Sequence, residues 1–147
     1  MFKAGTRVNP TMQAIAQNLS ERDMQMLATD FSKQHPPLLK TQTPPAPDLV
    51  AAGRHMAETE DDANVPVCFS CHAADGHGNG AHFPGIAGEP ATFTIARLHE
   101  FQTRARQPPP KPGSMTAVAA ALDETQFRRV AAFLSVSPPR FEATPAV

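Results

Sequence analysis

The 147-residue chain has no tryptophan and no tyrosine, and it has only two cysteines. Because tryptophan and tyrosine are absent, its nine phenylalanines must supply the large aromatic side chains of any core. No apolar run approaches the ~18 residues of a transmembrane helix, so we predict no transmembrane segment. The formal net charge is −1, so basic and acidic residues nearly balance. The chain lacks the excess of basic residues that would predict nucleic acid or an anionic membrane as a partner.

The sequence also lacks the alternation of apolar and polar residues that is typical of β-strands. Helical patterns are found instead, and we therefore predict an all-α fold. We expect helices over residues 10–18, 20–33, 49–58, 66–72 and 90–104.

Helix boundaries are marked by capping residues and prolines. Ser20 is a good N-cap, and Asp48 is predicted to cap the helix that begins at residue 49. The last helix is expected to start at Asp123, which can form a capping box with Gln126. Its apolar residues repeat at helical spacing, at Phe127, Val130, Ala131 and Leu134. Pro138 and Pro139 are expected to end it.

The two cysteines stand in the segment Cys68-Phe69-Ser70-Cys71-His72. The Cys-x-x-Cys-His pattern is typical of the site where a c-type haem is attached. Two thiols about one helical turn apart can add to the two haem vinyl groups, and the adjacent imidazole can reach the iron. The pattern predicts one haem c per chain, bound through Cys68 and Cys71, with His72 as the proximal iron ligand.

Two other kinds of site use cysteines at this spacing. A dithiol redox centre is one, although it usually lies in a βαβ context near a helix start. Half of a zinc site is the other, but zinc needs further ligands at short spacing and the chain has no third cysteine. If haem takes both cysteines, no disulfide is expected.

The residues after the motif read Ala73-Ala74-Asp75-Gly76-His77-Gly78 and, a little later, Phe83-Pro84-Gly85-Ile86-Ala87-Gly88. From residue 48 to about 137 the chain resembles the class I c-type cytochromes of bacteria. The resemblance implies a cytochrome c-like helical domain around one covalent haem. Gly76 and Gly78 would then allow a tight turn beneath the haem edge.

The resemblance implies three further roles. Met115, 43 residues after His72, matches the methionine that is the distal iron ligand in the family. The carbonyl of Pro84 is expected to accept the Nδ1–H of His72. Gly53 and Phe133 match the glycine and aromatic residue at which the first and last helices cross. Without the resemblance, these would be a core methionine, a loop proline and ordinary core packing.

The chain contains an internal repeat with a constant offset of 103 residues. Residues 12–20 match residues 115–123, and residues 24–32 match residues 127–135, so Met12 occupies the position of Met115. Two similar amphipathic helices would be a simpler explanation, but the offset is constant over about twenty residues. The repeat looks like the end of a first cytochrome module joined to a complete second one.

The predicted organisation has three parts. Residues 1–35 are the C-terminal half of a truncated module without a haem motif, so Met12 is expected to bind no iron. Residues 36–47 form a proline-rich linker, and residues 48–140 form the complete domain. The half-module carries an apolar stripe formed by Met24, Leu27, Ala28 and Phe31. We expect this stripe to pack on the domain or to associate with a partner.

Haem of this kind is attached outside the cytoplasm, so the resemblance implies export to the bacterial periplasm. The first seven residues are not followed by the apolar stretch of a signal peptide. We therefore expect the chain to be a fragment, a processed form, or a start inside a longer gene.

The predicted function is electron transfer between redox proteins, such as an oxidase or a dehydrogenase, and not enzymatic catalysis. Arg104, Arg106 and Lys111 could steer a partner towards the haem, or they could be solvated charges. An alternative is a haem enzyme or ligand sensor in which Met115 leaves the iron open. A third is a haem-free remnant of a tandem cytochrome, which the intact motif disfavours.

Five histidines lie outside the motif and form no obvious metal pair: His35, His55, His77, His82 and His99. His77 and His82 follow the motif closely enough to approach the haem edge. Histidines in such loops are more commonly solvated, so we assign them no ligand role.

Overall fold

The computed structural model describes residues 2–5, 7–34, 43–59, 65–80, 82–107 and 114–139. Contacts divide the chain into two compact units, residues 1–37 and residues 38–147. The elements of both units are helical, and the described residues form no β-strand. The predicted all-α fold is confirmed.

The first unit contains helices α1 (Pro10–Gln17) and α2 (Glu21–Ser32). Asn9 caps α1, because its side chain accepts a hydrogen bond of 2.9 Å from the backbone N–H of Met12. Ser20 caps α2 as predicted, and Asp23 completes a capping box that was not predicted. Both helix starts in this unit are therefore set by local side-chain contacts.

The described residues of the second unit form five α-helices around one apolar core. They are α3 (Pro47–Glu58), α4 (Cys68–His72), α5 (Ala91–Arg106), α6 (Ser114–Ala121) and α7 (Glu124–Val136). Helix α7 packs against α3 and α5, and α5 also packs against α6. The buried core residues come from four of these helices and the α6–α7 connection: Ala57, Leu98, Ala119, Leu122, Phe127, Val130, Phe133 and Leu134.

Helix α7 follows the prediction closely. Asp123 is its N-cap: the Asp123 side chain accepts from the Gln126 N–H, and the Gln126 side chain accepts from the Asp123 N–H, both at 2.8 Å. The four residues predicted at helical spacing are all buried. The helix ends at Val136, before Pro138, as the prolines predict.

Helix α3 begins earlier than predicted, and the expected cap at Asp48 is wrong. The N-cap is Ala46, which makes no side-chain bond, and Pro47 is the first helical residue. Proline suits this position because it presets φ and because its missing N–H would have had no helical partner. Asp48 lies in the first turn, where its charge favours the helix dipole. Most of the predicted 36–47 linker lies outside the described residues.

Helices α3 and α7 approach most closely at Gly53. A Cβ atom there would overlap the carbonyl oxygen of Arg129 and would lie 2.8 Å from the Cβ of Phe133. Only glycine leaves space for this crossing. The predicted meeting of Gly53 and Phe133 is confirmed.

Candidate functional site

Helix α4 carries the two thiols of the predicted site. Cys68 and Cys71 lie three positions apart, about one helical turn, so their side chains project from similar faces of the helix. Both are free and half-buried, and Cys68 packs against the apolar core. Burial raises the pKa of the Cys68 thiol, which is therefore protonated at neutral pH.

His72, the last residue of α4, is buried, with 6% of its surface exposed. Its Nδ1 atom lies 2.7 Å from the carbonyl oxygen of Pro84. A carbonyl oxygen can only accept, so Nδ1 carries the proton and Nε2 presents a lone pair. The ring of Phe83 stands edge-on to the imidazole, with 6.2 Å between centroids. The bond to Pro84 fixes both the tautomer and the ring orientation.

The segment after α4 folds back tightly on itself. The N–H of Gly78 donates to the carbonyl of His72 at 2.7 Å, and the N–H of Ile86 donates to the carbonyl of Gly76 at 2.8 Å. A Cβ at Gly78 would lie 2.6 Å from the backbone nitrogen of Gly85. Gly76 and Gly78 both have positive φ, as expected of glycines in a tight turn.

Two residues without glycine's freedom share this left-handed region. Ala73, directly after His72, has φ 62° and ψ 171°, and Asp75 has φ 58°. Neither was predicted, because positive φ is expected mainly of glycines. Aspartate tolerates this region moderately well, whereas the conformation of Ala73 is nearly restricted to glycine.

Met115 lies in the first turn of α6, half-buried, and packs against the same apolar core as Cys68. The preceding residues 108–113, which include Lys111, lie outside the described residues. Arg104 and Arg106 occupy the last turn of α5, and the Arg104 guanidinium lies 5.5 Å from the ring centre of Phe101. Met115 and Cys68 of the haem motif therefore contact one apolar core, because both pack against the same buried side chains.

The remaining histidines have separate environments. His55 Nδ1 lies 2.7 Å from Thr59 Oγ1, and His99 Nε2 lies 3.1 Å from a Glu124 carboxylate oxygen. His77 Nε2 bonds to the carbonyl of Pro138 at 3.1 Å, so it is not simply solvated. His82 is exposed, and His35 lies outside the described residues.

The side chains present fit a covalent haem better than a zinc ion. Two unpaired thiols on one short helix and a buried imidazole with a free Nε2 are the groups that attach and ligate haem c. Within the described part of the chain, no three histidine, cysteine, aspartate or glutamate side chains are grouped to hold a metal ion. A closed structural zinc site normally needs four such ligands.

Residues 50–137 match the family model described as cytochrome c. The chain belongs to the cytochrome c family. The matched region contains the whole haem motif, Pro84 and Met115, so the expected domain is covered almost from end to end.

Proteins named as a thiosulfate dehydrogenase, as its electron acceptor and as cytochrome c4 are similar to this chain. The "thiosulfate dehydrogenase electron acceptor" of Stutzerimonas stutzeri is 31% identical over 144 residues, covering 91% of this chain and 62% of the relative. A solved thiosulfate dehydrogenase from Marichromatium purpuratum aligns with a TM-score of 0.75 and 32% identity, over 93% of this chain and 29% of that one. Cytochrome c4 of Acidithiobacillus ferrooxidans aligns with a TM-score of 0.73 and 26% identity, covering 91% and 78%.

These comparisons confirm the predicted family, which implies a covalently bound haem c. The relatives are named as an electron acceptor and as cytochrome c4, and the solved structures that align include a thiosulfate dehydrogenase. The chain spans about 62% of the length of the Stutzerimonas relative.

Proposed function

We propose that this cytochrome is an electron carrier with one haem c, attached through Cys68 and Cys71 and ligated by His72 and Met115. The observation that carries the proposal is the 2.7 Å hydrogen bond from His72 Nδ1 to the Pro84 carbonyl. It leaves Nε2 of a buried imidazole available to iron, directly beside two unpaired thiols. In addition, the bond raises the basicity of the imidazole as a ligand.

Met115 is the second ligand in this proposal. A thioether is a soft and neutral ligand that raises the reduction potential of haem iron. Its position supports this role, because Met115 and Cys68 pack against the same apolar core. With both axial positions taken, no position remains for a substrate, and this favours electron transfer over catalysis.

When bound, the haem supplies an iron that gains or loses one electron. The protein's own residues hold and insulate it. The thioether bonds of Cys68 and Cys71 would keep the haem in place, and Pro84 keeps the His72 ring in one orientation. Buried side chains such as Leu98 and Phe127 exclude water from the core that Cys68 and Met115 border.

The test is to mature the chain with haem-attachment machinery behind an added export signal, then record its mass and absorption spectrum. We expect one covalent haem and the weak red-edge band of methionine-ligated ferric iron. Met115→Ala should remove that band, whereas Met56→Ala, a change at another half-buried core methionine, should keep it.

Each contrary result has a definite meaning. A haem without the red-edge band in the unmodified protein would favour an open iron, as in a haem enzyme or ligand sensor. No covalent haem would favour a haem-free remnant. Loss of the band in Met56→Ala but not in Met115→Ala would show that Met56, and not Met115, is the iron ligand.

For the electron donor, we propose an enzyme that oxidises a reduced sulfur compound. The name and the 31% identity of the Stutzerimonas relative support this choice. Arg104 and Arg106 offer cationic groups to an acidic donor surface. A thiosulfate dehydrogenase with thiosulfate should reduce the ferric protein rapidly, and the rate should fall as ionic strength rises. Reduction no faster than without the enzyme would contradict the proposal.

We also propose a periplasmic location. The chemistry of covalent haem attachment, which occurs outside the cytoplasm, supports it. Among the described helices, none is long and apolar enough to span a membrane. Fractionation of the native host, with haem staining of the periplasmic fraction, would test the location.

We propose a further partner for the α2 apolar face, which is formed by Met24, Leu27, Ala28 and Phe31. Leu27 and Phe31 are 41% and 64% exposed, whereas their counterparts in the repeat, Val130 and Leu134, are 4% and 3% exposed. In the second unit the counterpart helix is covered by α3 and α5. We propose that α2 is covered in the same way by a haem-bearing first half of a cytochrome c module.

The probe for this association is a separate chain that carries a haem-bearing first half of a cytochrome c module. Coexpressed with tagged chain, it should be captured and should raise the haem content to two per complex. Phe31→Glu should abolish capture, whereas Gln25→Glu, elsewhere on α2, should not. Equal capture by both variants, or no second haem in any sample, would refute the association.

A further inference from the structure

The loop that follows the haem motif is joined to the C-terminal end of α7 by two hydrogen bonds. The N–H of Gly88 donates to the carbonyl of Leu134 at 2.8 Å. The Nε2–H of His77 donates to the carbonyl of Pro138 at 3.1 Å, across 61 residues of sequence. The second bond is made by a side chain, so it can be removed without changing the backbone.

The region around His77 leads directly to the proximal ligand. A Cβ added at Gly85 would lie 3.3 Å from the carbonyl oxygen of His77, which shows how closely the two backbones approach. Gly85 follows Pro84, whose carbonyl accepts the bond from His72 Nδ1. On the other side, the N–H of Gly78 donates to the carbonyl of His72 at 2.7 Å. A shift of His77 therefore changes the surroundings of His72 from both sides.

Pro138 is a stable anchor for this contact. Ser137 ends α7 with backbone bonds to the carbonyls of Phe133 and Leu134, at 3.1 and 3.2 Å. Ser137 is itself buried, and its hydroxyl donates to the Phe133 carbonyl at 2.9 Å. The carbonyl of Pro138 is thus held by a rigid helix end that belongs to the core.

We propose that His77 is a positioning residue for the proximal ligand: its bond to Pro138 holds the loop so that Pro84 stays in register with His72. The proposal rests on the proposed ligation of iron by His72. Loss of the His77 bond should weaken the bond between His72 and Pro84 and make the imidazole a less basic ligand. A less basic ligand stabilises ferric iron less, so the reduction potential should rise.

The chain allows a closely matched pair of variants. In His77→Gln the amide nitrogen falls near the position of Nε2 and can still donate to Pro138. In His77→Asn the amide is one methylene shorter and falls short of that position. His82→Ala is the control for removing an exposed histidine from the same loop.

The measurement is the midpoint potential of the matured holoprotein. We expect His77→Ala and His77→Asn to shift the equilibrium towards the ferrous form by about threefold, a modest effect in keeping with one partly exposed hydrogen bond. His77→Gln and His82→Ala should keep the original potential. Amide exchange of Gly78 and Gly88 should also become faster in His77→Ala and His77→Asn.

Two results would overturn the proposal. One is an unchanged potential in both His77→Ala and His77→Asn. The other is an equal shift in His77→Gln, which would show that the imidazole acts without its bond to Pro138. If His77→Ala does not mature, the Gln and Asn variants still decide the question. Failure of His72 ligation itself would be recognised separately, since no low-spin spectrum would form in the unmodified protein.

Discussion

At the scale of single residues, Ala73 stores conformational strain next to His72, the proposed proximal ligand. Its φ of 62° and ψ of 171° lie in a region that is almost exclusive to glycine and costs other residues about 1–3 kcal/mol. Ala73→Gly should therefore stabilise the holoprotein by about 1 kcal/mol, after the greater flexibility of glycine in the unfolded chain is subtracted. Chemical denaturation followed by haem absorbance measures the change.

Ala74→Gly is the matched control for this prediction. Ala74 begins the short 3₁₀ turn and has no positive φ, so glycine there brings only added flexibility and should destabilise slightly. If Ala73→Gly were as destabilising as Ala74→Gly, strain at residue 73 would be excluded.

Glu89, just before α5, gives the domain a pH dependence. Burial raises the pKa of its carboxyl, because desolvation penalises the charged form. The folded state then holds the proton more tightly than the unfolded state. The stability from this group is complete below the ordinary pKa of 4.5 and is lost as the pH rises through the raised value.

Glu89→Gln removes the charge and should abolish that loss. The variant should gain stability relative to the unmodified protein at pH 7, with a smaller gain at pH 4. Glu58→Gln, at an exposed position, serves as the control. Denaturant titrations at both pH values measure the differences, and a gain that is the same at both would contradict the assignment to Glu89.

Single residues differ in how far the sequence reveals them. The bond between His72 and Pro84 and the crossing at Gly53 could be predicted because a family pattern places those residues. The partner of His77 lies 61 residues away and follows no pattern, so only the fold brings the two together. Strain at Ala73 depends on a backbone angle that the surrounding loop imposes on an ordinary residue.

At the scale of elements, helix starts were predictable where a side chain caps its own helix. Ser20 and Asp123 contact residues three positions onward, so the signal is local. The start of α3 was predicted wrongly because two signals compete there. Pro47 can begin a helix without any cap, and its preset φ prevailed over the capping tendency of Asp48.

The cap of α7 should contribute measurably to stability, since α7 supplies half of the apolar core residues of the second unit. Asp123→Ala removes the acceptor for the Gln126 N–H and should destabilise the domain by about 1 kcal/mol. Asp123→Asn keeps a capping oxygen and should cost much less. Thermal unfolding of the holoprotein separates the two, and equal losses would mean that charge, not capping, is what Asp123 contributes.

At the scale of the whole molecule, the second unit has a small apolar core for its length. Its buried hydrophobic residues are few, and among fully buried side chains the largest is that of Phe127. Domains of about 100 residues bury a limited share of their surface and are only marginally stable. Cys68, Phe69 and Met115 all border the core, so a covalent haem at Cys68 would enlarge what is buried there.

We therefore expect the second unit to require its haem in order to fold. A Cys68→Ala/Cys71→Ala variant, which cannot attach haem, should lose most of its helical circular dichroism and any cooperative thermal transition. The reference sample is the matured holoprotein. Helices α1 and α2 are part of both proteins, so the difference in helicity reports on the second unit. Native-like helicity with a sharp transition in the haem-free variant would show instead that packing of α7 on α3 and α5 suffices without the prosthetic group.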